Sequence, residues 1–171
     1  MTTARHVASI AVAAMLAAPV SAQRPADIVR WSAAAAPAPV RPGGSITLEI
    51  TAAIQEGWHL YALTQPKGGP NPLQIALATG SPFAVDAKGI RAPQPDVIKD
   101  ENFDLETRQY ERAVTFKVPV RAGRDATPGR HTLTFEITFQ ACGNGICLRP
   151  YTAKLPVEVT VGAPAGRTGQ P

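Results

Sequence analysis

The chain has 171 residues, of which 17 are Lys or Arg and 13 are Asp or Glu, so that its formal net charge is +4. The basic residues are scattered, and no basic run alternates with aromatic residues, which argues against nucleic-acid binding. We expect the positive charge to keep the protein soluble and to steer encounters with acidic proteins weakly.

Residues 1–22 have the pattern of a cleaved secretory signal peptide. Arg5 supplies positive charge, an apolar run covers residues 7–20, and Ala22 ends a cleavage motif of small residues. An uncleaved membrane anchor is the alternative, but this run is shorter than the ~20 residues that span a bilayer. We therefore expect a periplasmic protein that does not span the membrane in its mature form, which begins near Gln23 and has a length suited to one domain.

Strand-like alternation of apolar and polar residues is clear in three segments, at residues 46–50, 114–120 and 133–141. Weaker strands are predicted at residues 28–34, 58–62, 73–78, 83–87 and 151–161, divided by Pro and Gly clusters. Sustained helical periodicity is missing from the mature sequence. The pattern predicts an all-β protein, an immunoglobulin-like antiparallel β-sandwich with a single domain over residues 23–161.

Two polar stretches interrupt this pattern. Residues 90–112 contain prolines, the aromatic Phe103 and an acidic group made of Asp100, Glu101, Asp104 and Glu106. We interpret them as a long loop that is either functional or a solvated surface loop. Residues 162–171 are rich in Gly, Pro and Ala and predict a disordered tail.

The only two cysteines of the sequence, Cys142 and Cys147, flank Gly143-Asn144-Gly145. Gly and Asn tolerate positive φ, so this tripeptide predicts a turn that brings the two sulfur atoms within bonding distance. The inward residues of the preceding strand are odd-numbered, which places Cys142 on the outer face, provided that no bulge intervenes.

Three uses of this pair remain open from the residues alone. A structural staple is the commonest use in exported proteins, but a loop of this size stabilises by only about 2 kcal/mol. A disulfide that closes a tight, partly exposed hairpin is also readily reduced, which favours a redox pair. The third use is a zinc site completed by His59 and His131, although the spacing is at the edge of the zinc-knuckle range and His131 would face inward.

Several motifs, in the same order along the chain, resemble the N-terminal periplasmic domain of the thiol:disulfide interchange protein DsbD. They are Trp58-His59-Leu60-Tyr61, Gln65, the Gly68-Gly69-Pro70 turn, the acidic stretch with Phe103 and Tyr110, and the segment from Phe139 through Cys142 and Cys147 to Pro150. The similarity covers roughly residues 27–161, and the cysteine segment is its most specific part.

The resemblance implies an immunoglobulin-like sandwich with a redox-active disulfide, as a component of a protein-disulfide reductase. Cys147 would form the mixed disulfide with partners and Cys142 would resolve it, without a cofactor. The charge of Arg149, two residues after Cys147, would favour the Cys147 thiolate, and the alternative is that Arg149 is a solvated loop cation. Thioredoxin-like proteins would be the donor and the acceptors, with a separate membrane electron transporter supplying electrons.

The resemblance also implies a cap loop that covers the disulfide until a partner displaces it. The matching residues are Asp100, Glu101, Asn102, Phe103 and Asp104, with Phe103 as the shielding aromatic ring. Tyr61 matches an aromatic residue near the disulfide and is otherwise an ordinary core residue.

The sequence departs from the family at several positions. It contains no transmembrane section and no Cys-x-x-Cys motif of a thioredoxin-like domain. Arg149 stands before Pro150 where the family often has a second proline, and His59 and Asn102 replace aromatic and acidic residues. The alternative function is a non-redox immunoglobulin-like binding or assembly module with a structural disulfide.

Overall fold

The computed structural model describes residues 23–34, 36, 38–143 and 145–163. A single helical turn, α1 (Pro25–Ile28), precedes the strands, and a 3₁₀ turn lies at Ala87–Gly89. The strands are β1 (Val29–Ala33), β2 (Ser45–Ile54), β3 (Trp58–Tyr61), β4 (Gln74–Leu77), β5 (Phe83–Val85), β6 (Asp96–Asp100), β7 (Leu105–Glu111), β8 (Ala113–Ala122), β9 (Gly129–Phe139), β10 (Ala141–Gly143), β11 (Ile146–Cys147) and β12 (Tyr151–Val161). The predicted all-β class is confirmed.

The strands form three sheets in the described part of the chain. The first sheet has the order β1-β2-β8-β5, the second β11-β10-β3-β7-β6, and the third β12-β9-β4. Neighbouring strands within each sheet run antiparallel. We call the second sheet the site sheet. The chain passes directly from the third sheet to the site sheet where Gln140 separates β9 from β10.

One apolar core joins the three sheets into an immunoglobulin-like antiparallel sandwich. Strand β8, and β9 from Leu133 onward, alternate between buried apolar residues and more exposed ones, because one face of each strand packs on the core. Phe116 of the first sheet and Phe135 of the third sheet are both completely buried in this core. Leu60 and Ala141 add the inner face of the site sheet.

The prediction of a long loop over residues 90–112 was wrong. The structure places β6 and β7 there, paired from Asp96 with Gln109 to Asp100 with Leu105. Of the residues predicted as a cap loop, 101–104 form the turn of this hairpin, and Asp100 is the last residue of β6. The polar composition hid the strands because β6 is an edge strand with four exposed residues, and the buried positions of β7 include polar ones.

The two predicted terminal segments fall largely outside the described residues. The proposed signal peptide, residues 1–22, lies entirely outside, as do residues 164–171 of the proposed tail. Gly162 is described, and its amide nitrogen donates a hydrogen bond to the carbonyl oxygen of Val40 at 2.8 Å. None of the helical segments in the described part of the chain has the length and apolar character needed to cross a membrane.

Candidate functional site

The two cysteines form a disulfide between adjacent strands of the site sheet. Cys142 of β10 lies directly opposite Cys147 of β11, with the Cα atoms 4.1 Å apart. Strand β10 lies between β3 and β11, whereas β11 is the edge strand. The paired residues therefore bridge the last two strands at one edge of the sheet.

Close packing of β10 on β3 explains the small residue at the end of β10. A Cβ atom added to Gly143 would contact the carbonyl oxygen of Gly57 and approach within 3.0 Å of the Cα atom of Trp58. Any larger residue at this position would push β10 away from β3. Gly143 thus permits the close strand pairing that carries Cys142, and Gly145 makes the following turn at φ 74°.

The outward strand phase predicted for Cys142 is observed, but the residue is not at the surface. Ala141 belongs to the core, and Cys142 points to the opposite face of the site sheet. Cys142 is nevertheless 0% exposed. Cys147 is partly exposed, so the two sulfur-bearing residues differ in access to solvent.

Tyr61 and Asp100 form the centre of a buried polar group beside the disulfide. The Tyr61 hydroxyl donates a hydrogen bond to Asp100 Oδ2 at 2.6 Å and lies 3.9 Å from Cys147 Sγ. Tyr61 is completely buried, and Asp100 is 5% exposed. A charge-assisted hydrogen bond of this length in a buried place fixes both side chains.

Two residues that were not predicted from the sequence, Thr107 and Gln109, complete the support of Asp100. Thr107 Oγ1 and Gln109 Nε2 lie 3.4 Å and 3.3 Å from Asp100 Oδ2, and Gln109 Nε2 also donates to Thr107 Oγ1 at 2.7 Å. Both residues are buried and lie on one face of β7. Thr107 and Gln109 alternate with the exposed Arg108, as residues of a strand do. Because both buried side chains are polar, the sequence shows no hydrophobic alternation that would indicate this strand.

The hairpin turn is attached to this polar group through Asp100. Asp100 Oδ1 accepts hydrogen bonds from the backbone nitrogen of Asn102 at 2.9 Å and from its side-chain amide at 3.2 Å. Lys99 donates to the carbonyl oxygen of Asp104 at 2.7 Å, which closes the turn on its other side. Glu101 is exposed in the same turn.

The aromatic ring of Phe103 is the part of the turn that packs on the site. It meets the ring of Tyr61 edge to face, with centroids 6.0 Å apart. Phe103 therefore covers Tyr61, and Tyr61 in turn contacts Cys147. The structure brings the predicted residues Phe103, Tyr61 and Cys147 together in this order.

The remaining predicted residues lie at the edge of the site or away from it. Arg149 and Pro150 are exposed and follow β11. His59 lies opposite Cys142 and packs on Tyr61, but His131 is at the start of β9, against Phe83. Among the described residues, no three His, Cys, Asp or Glu side chains are grouped so that they could hold a metal ion.

The site has two clear electrostatic features. Burial by itself would raise the pKa of Asp100, but the hydrogen bonds from Tyr61 and Asn102 hold it below its ordinary value. Burial, followed by the hydrogen bond to Asp100, raises the pKa of Tyr61 strongly. Asp100 is therefore an ionised acceptor and Tyr61 a neutral donor at neutral pH.

These features define the chain as an immunoglobulin-like sandwich with a cross-strand disulfide on the outer face of one sheet. Residues 26–158 match the family described as the N-terminal part of the thiol:disulfide interchange protein DsbD, and the chain belongs to this family. It is accordingly a thiol-disulfide exchange domain. A search of curated proteins gives no match.

Two solved structures have a similar fold. The reduced N-terminal domain of DsbD from Neisseria meningitidis aligns with a TM-score of 0.53 and 14% identity, over 81% of this chain and 90% of that one. The N-terminal periplasmic domain of ScsB from Proteus mirabilis aligns with a TM-score of 0.54 and 18% identity, over 85% of this chain and 52% of that one. At these identities the similarity concerns the fold.

Proposed function

We propose that this chain is a periplasmic dithiol carrier that receives reducing equivalents from a thioredoxin-like donor and passes them to acceptor proteins. The observation that carries the proposal is the unequal exposure of the paired residues. Cys142 is fully buried, whereas Cys147 is partly exposed on an edge strand. Thiol-disulfide exchange needs one sulfur that a partner can reach and a second that resolves the intermediate.

In the proposed reaction the thiolate of Cys147 attacks one sulfur of an acceptor disulfide. A mixed disulfide forms, and the second acceptor sulfur leaves with the bonding electrons as a thiolate. Cys142 then attacks Cys147 Sγ, so that the internal disulfide forms and the first acceptor sulfur leaves as a thiolate. Two electrons have passed to the acceptor, and the reverse sequence with a thioredoxin-like donor restores the dithiol.

We assign the hairpin turn at residues 101–104 the role of a cap. Phe103 covers Tyr61, and the Tyr61 hydroxyl lies against Cys147. Docking of a partner would displace the turn and give access to the sulfur, as loops that cover active sites do in other proteins. Asp100 anchors the turn, so that it returns to the closed arrangement after release.

The partners in this proposal supply the electrons that reduce the Cys142–Cys147 disulfide. The chain has two cysteines, so a donor brings its own dithiol, and a membrane electron transporter is the source that reduces it. Arg149, exposed two residues after Cys147, favours the thiolate electrostatically as a partner docks. The similar DsbD domain was solved in its reduced form and the similar ScsB domain is periplasmic, which supports a periplasmic redox role for this chain.

Two experiments test the carrier. The oxidised protein is equilibrated with increasing ratios of a reduced thioredoxin-like protein, and free thiols are counted at each ratio. We expect a reversible two-electron transition at a potential above about −300 mV, since structural disulfides lie below that value. With the oxidised form of the thioredoxin-like partner, Cys142→Ala should accumulate a mixed disulfide through the thiol of Cys147, and the matched Cys147→Ala variant should accumulate none.

A contrary result would support the alternative of a binding or assembly module with a structural disulfide. In that case the thioredoxin-like donor would fail to reduce the disulfide of the folded protein, although dithiothreitol reduces the same disulfide in the unfolded protein. Equal trapping by the two single-cysteine variants would contradict the assignment of roles to Cys147 and Cys142.

A further inference from the structure

His59 lies beside the buried cysteine of the pair. It is directly opposite Cys142 in the pairing of β3 with β10. Side chains at directly opposite positions of antiparallel strands share a face and have Cβ atoms about 5 Å apart. The ring also packs edge to face on Tyr61, with centroids 5.1 Å apart. His59 therefore lies directly opposite, and on the same face as, the cysteine that resolves mixed disulfides in the proposed function.

One ring nitrogen of His59 is buried without a hydrogen-bond partner. Nε2 is one of two such buried side-chain atoms in the described part of the chain. Native proteins satisfy most buried polar atoms, so an exception calls for a physical explanation. In the disulfide form Cys142 has no proton to donate, whereas in the dithiol form its thiol becomes a donor beside the imidazole. The missing partner thus arises on reduction.

The surroundings of His59 keep its ring neutral. The titratable groups that face it are Tyr61 on its own strand, Cys142 on β10, Glu111 on β7 and Asp100 at the hairpin turn. Burial lowers the pKa of His59 and outweighs the opposite effects of Asp100 and Glu111. At neutral pH the imidazole is therefore unprotonated, and one of its nitrogen atoms can accept a proton from a neighbouring group.

The buried thiol needs such an acceptor. Cys142 is 0% exposed in the disulfide form, and burial disfavours a thiolate that water cannot solvate. The attacking species in disulfide exchange is the thiolate. Without a base beside it, Cys142 would attack slowly at neutral pH.

We propose that His59 accepts the proton of the Cys142 thiol in the step that resolves the mixed disulfide at Cys147, an inference that rests on the proposed function. The proton moves from Cys142 Sγ to the imidazole, and the thiolate electron pair forms the bond to Cys147 Sγ. The bond between Cys147 Sγ and the partner sulfur breaks, and the partner leaves as a thiolate with that electron pair. The imidazolium then returns its proton to water.

The test uses dithiobis(nitrobenzoate) as the partner disulfide. The reduced protein releases nitrothiobenzoate in two phases, first when the mixed disulfide forms at Cys147 and then when Cys142 resolves it. The rates of both phases are measured by stopped-flow absorbance between about pH 6 and pH 9.5, on both sides of the ordinary thiol pKa of about 8.5. In His59→Phe the second phase should be about tenfold slower at pH 7, because only a few per cent of an ordinary thiol is ionised there.

The pH profile separates proton transfer from packing. The second phase of His59→Phe should rise with pH and approach the wild-type rate near about pH 9, while the first phase stays unchanged. His59→Gln, which keeps a polar side chain without a basic nitrogen, should be as slow as His59→Phe. It also serves if the aromatic variant does not fold, as judged by circular dichroism.

His131→Phe is the matched control. His131 is also partly buried and packs edge to face on an aromatic ring, that of Phe83 at 5.5 Å, but it lies at the start of β9. Its two phases should coincide with those of the wild type. Cys142→Ala should show the first phase alone, which assigns the second phase to resolution.

A second-phase profile of His59→Phe or His59→Gln that coincides with the wild type would overturn the inference. So would a slowing by the same factor at every pH, which would indicate altered packing alone. The proposed function fails separately, when a thioredoxin-like donor does not reduce the wild-type disulfide, whatever the two-phase experiment gives.

Discussion

Replacing Tyr61 with Phe removes one hydroxyl group from the site and keeps the aromatic ring. The hydroxyl donates to Asp100 Oδ2 at 2.6 Å in a fully buried environment. Water cannot replace this donor, because Asp100 is only 5% exposed. The ring retains its edge-to-face contacts with Phe103 and His59. The variant therefore isolates the hydrogen bond from the packing.

We expect Tyr61→Phe to lower the free energy of unfolding by about 2 kcal/mol at pH 7. Hydrogen bonds to charged groups contribute about 1.5–3 kcal/mol, and the loss is moderated because Asn102 and Gln109 still donate to Asp100. For a domain of this size the corresponding fall in Tm is about 6 °C. Tyr110→Phe is the matched control, since Tyr110 donates to the neutral carbonyl oxygen of Pro93 at 2.8 Å, and its loss should cost about 1 kcal/mol.

The loss should depend on pH because Asp100 must be ionised for the bond to be charge-assisted. The pKa of Asp100 in the folded protein lies below its ordinary value, so its contribution to stability is present above the unfolded pKa of about 3.9. This contribution disappears as pH falls through the folded-state pKa. The difference between wild type and Tyr61→Phe should therefore shrink below about pH 4, and that of Tyr110→Phe should not.

Urea unfolding of the oxidised proteins, followed by circular dichroism at pH 7 and at several acidic pH values, measures these differences. The m-values should agree between the variants, because the area exposed on unfolding is nearly unchanged. A loss in Tyr61→Phe no larger than that in Tyr110→Phe, or a loss that stays constant in acid, would refute a charge-assisted bond at this place.

Three further predictions concern the cap, the strand pairing and the disulfide. Phe103→Ala should speed reduction of the native disulfide by dithiothreitol several-fold because the Tyr61 ring loses its cover, with equal rates in urea-unfolded protein as the control. Gly143→Ala should lower the free energy of unfolding in urea by about 1–3 kcal/mol, because the added Cβ would collide with the backbone of Gly57 and Trp58. Gly162→Ala is the control and should leave the free energy of unfolding nearly unchanged, because the nearest atom to its Cβ is 3.7 Å away. Reduction of the Cys142–Cys147 disulfide should leave the circular dichroism spectrum unchanged and lower the free energy of unfolding by about 2 kcal/mol. If the protein unfolds when the disulfide is reduced, the proposed function as a dithiol carrier is contradicted.

The strands that the sequence predicts best are those that cover the core with one face. In β8, and in β9 from Leu133 onward, every second residue is buried and apolar, so the period of two is directly visible in the sequence. The weak prediction over residues 151–161 also gave β12 with its full length. These segments are readable because a one-residue shift would move every apolar side chain to solvent.

The β6–β7 hairpin could not be read in this way. Four of the five residues of β6 are exposed, and the buried positions of β7 include Thr107 and Gln109. Their burial results from contact with Asp100 and Tyr61 on the outer face of the sheet, which is polar. Hydrophobic alternation detects strands that face an apolar core, and this hairpin faces a hydrogen-bonded cluster instead.

The site itself was predictable only in part. The spacing of the cysteines and the glycines between them predicts the pairing and the turn. The contact of Tyr61 with Asp100 joins residues 39 positions apart, and it depends on how β3 and β7 pair. Burial of Cys142 likewise depends on the position of β10 inside the sheet, and this position cannot be inferred from the alternation of residues along a strand.

The position of each strand in the site sheet explains why one cysteine pair supplies two different sulfur atoms. Strand β10 has neighbours on both sides, so Cys142 is enclosed, while β11 has a neighbour on one side only and leaves Cys147 partly open. A partner that approaches this edge would meet Cys147 before Cys142. The same arrangement places His59 opposite the enclosed Cys142, where the proposed proton transfer would act on a thiol that water does not reach. The order of attack in the proposed reaction therefore agrees with the sheet topology, and the roles proposed for Arg149 and His59 act in the same direction.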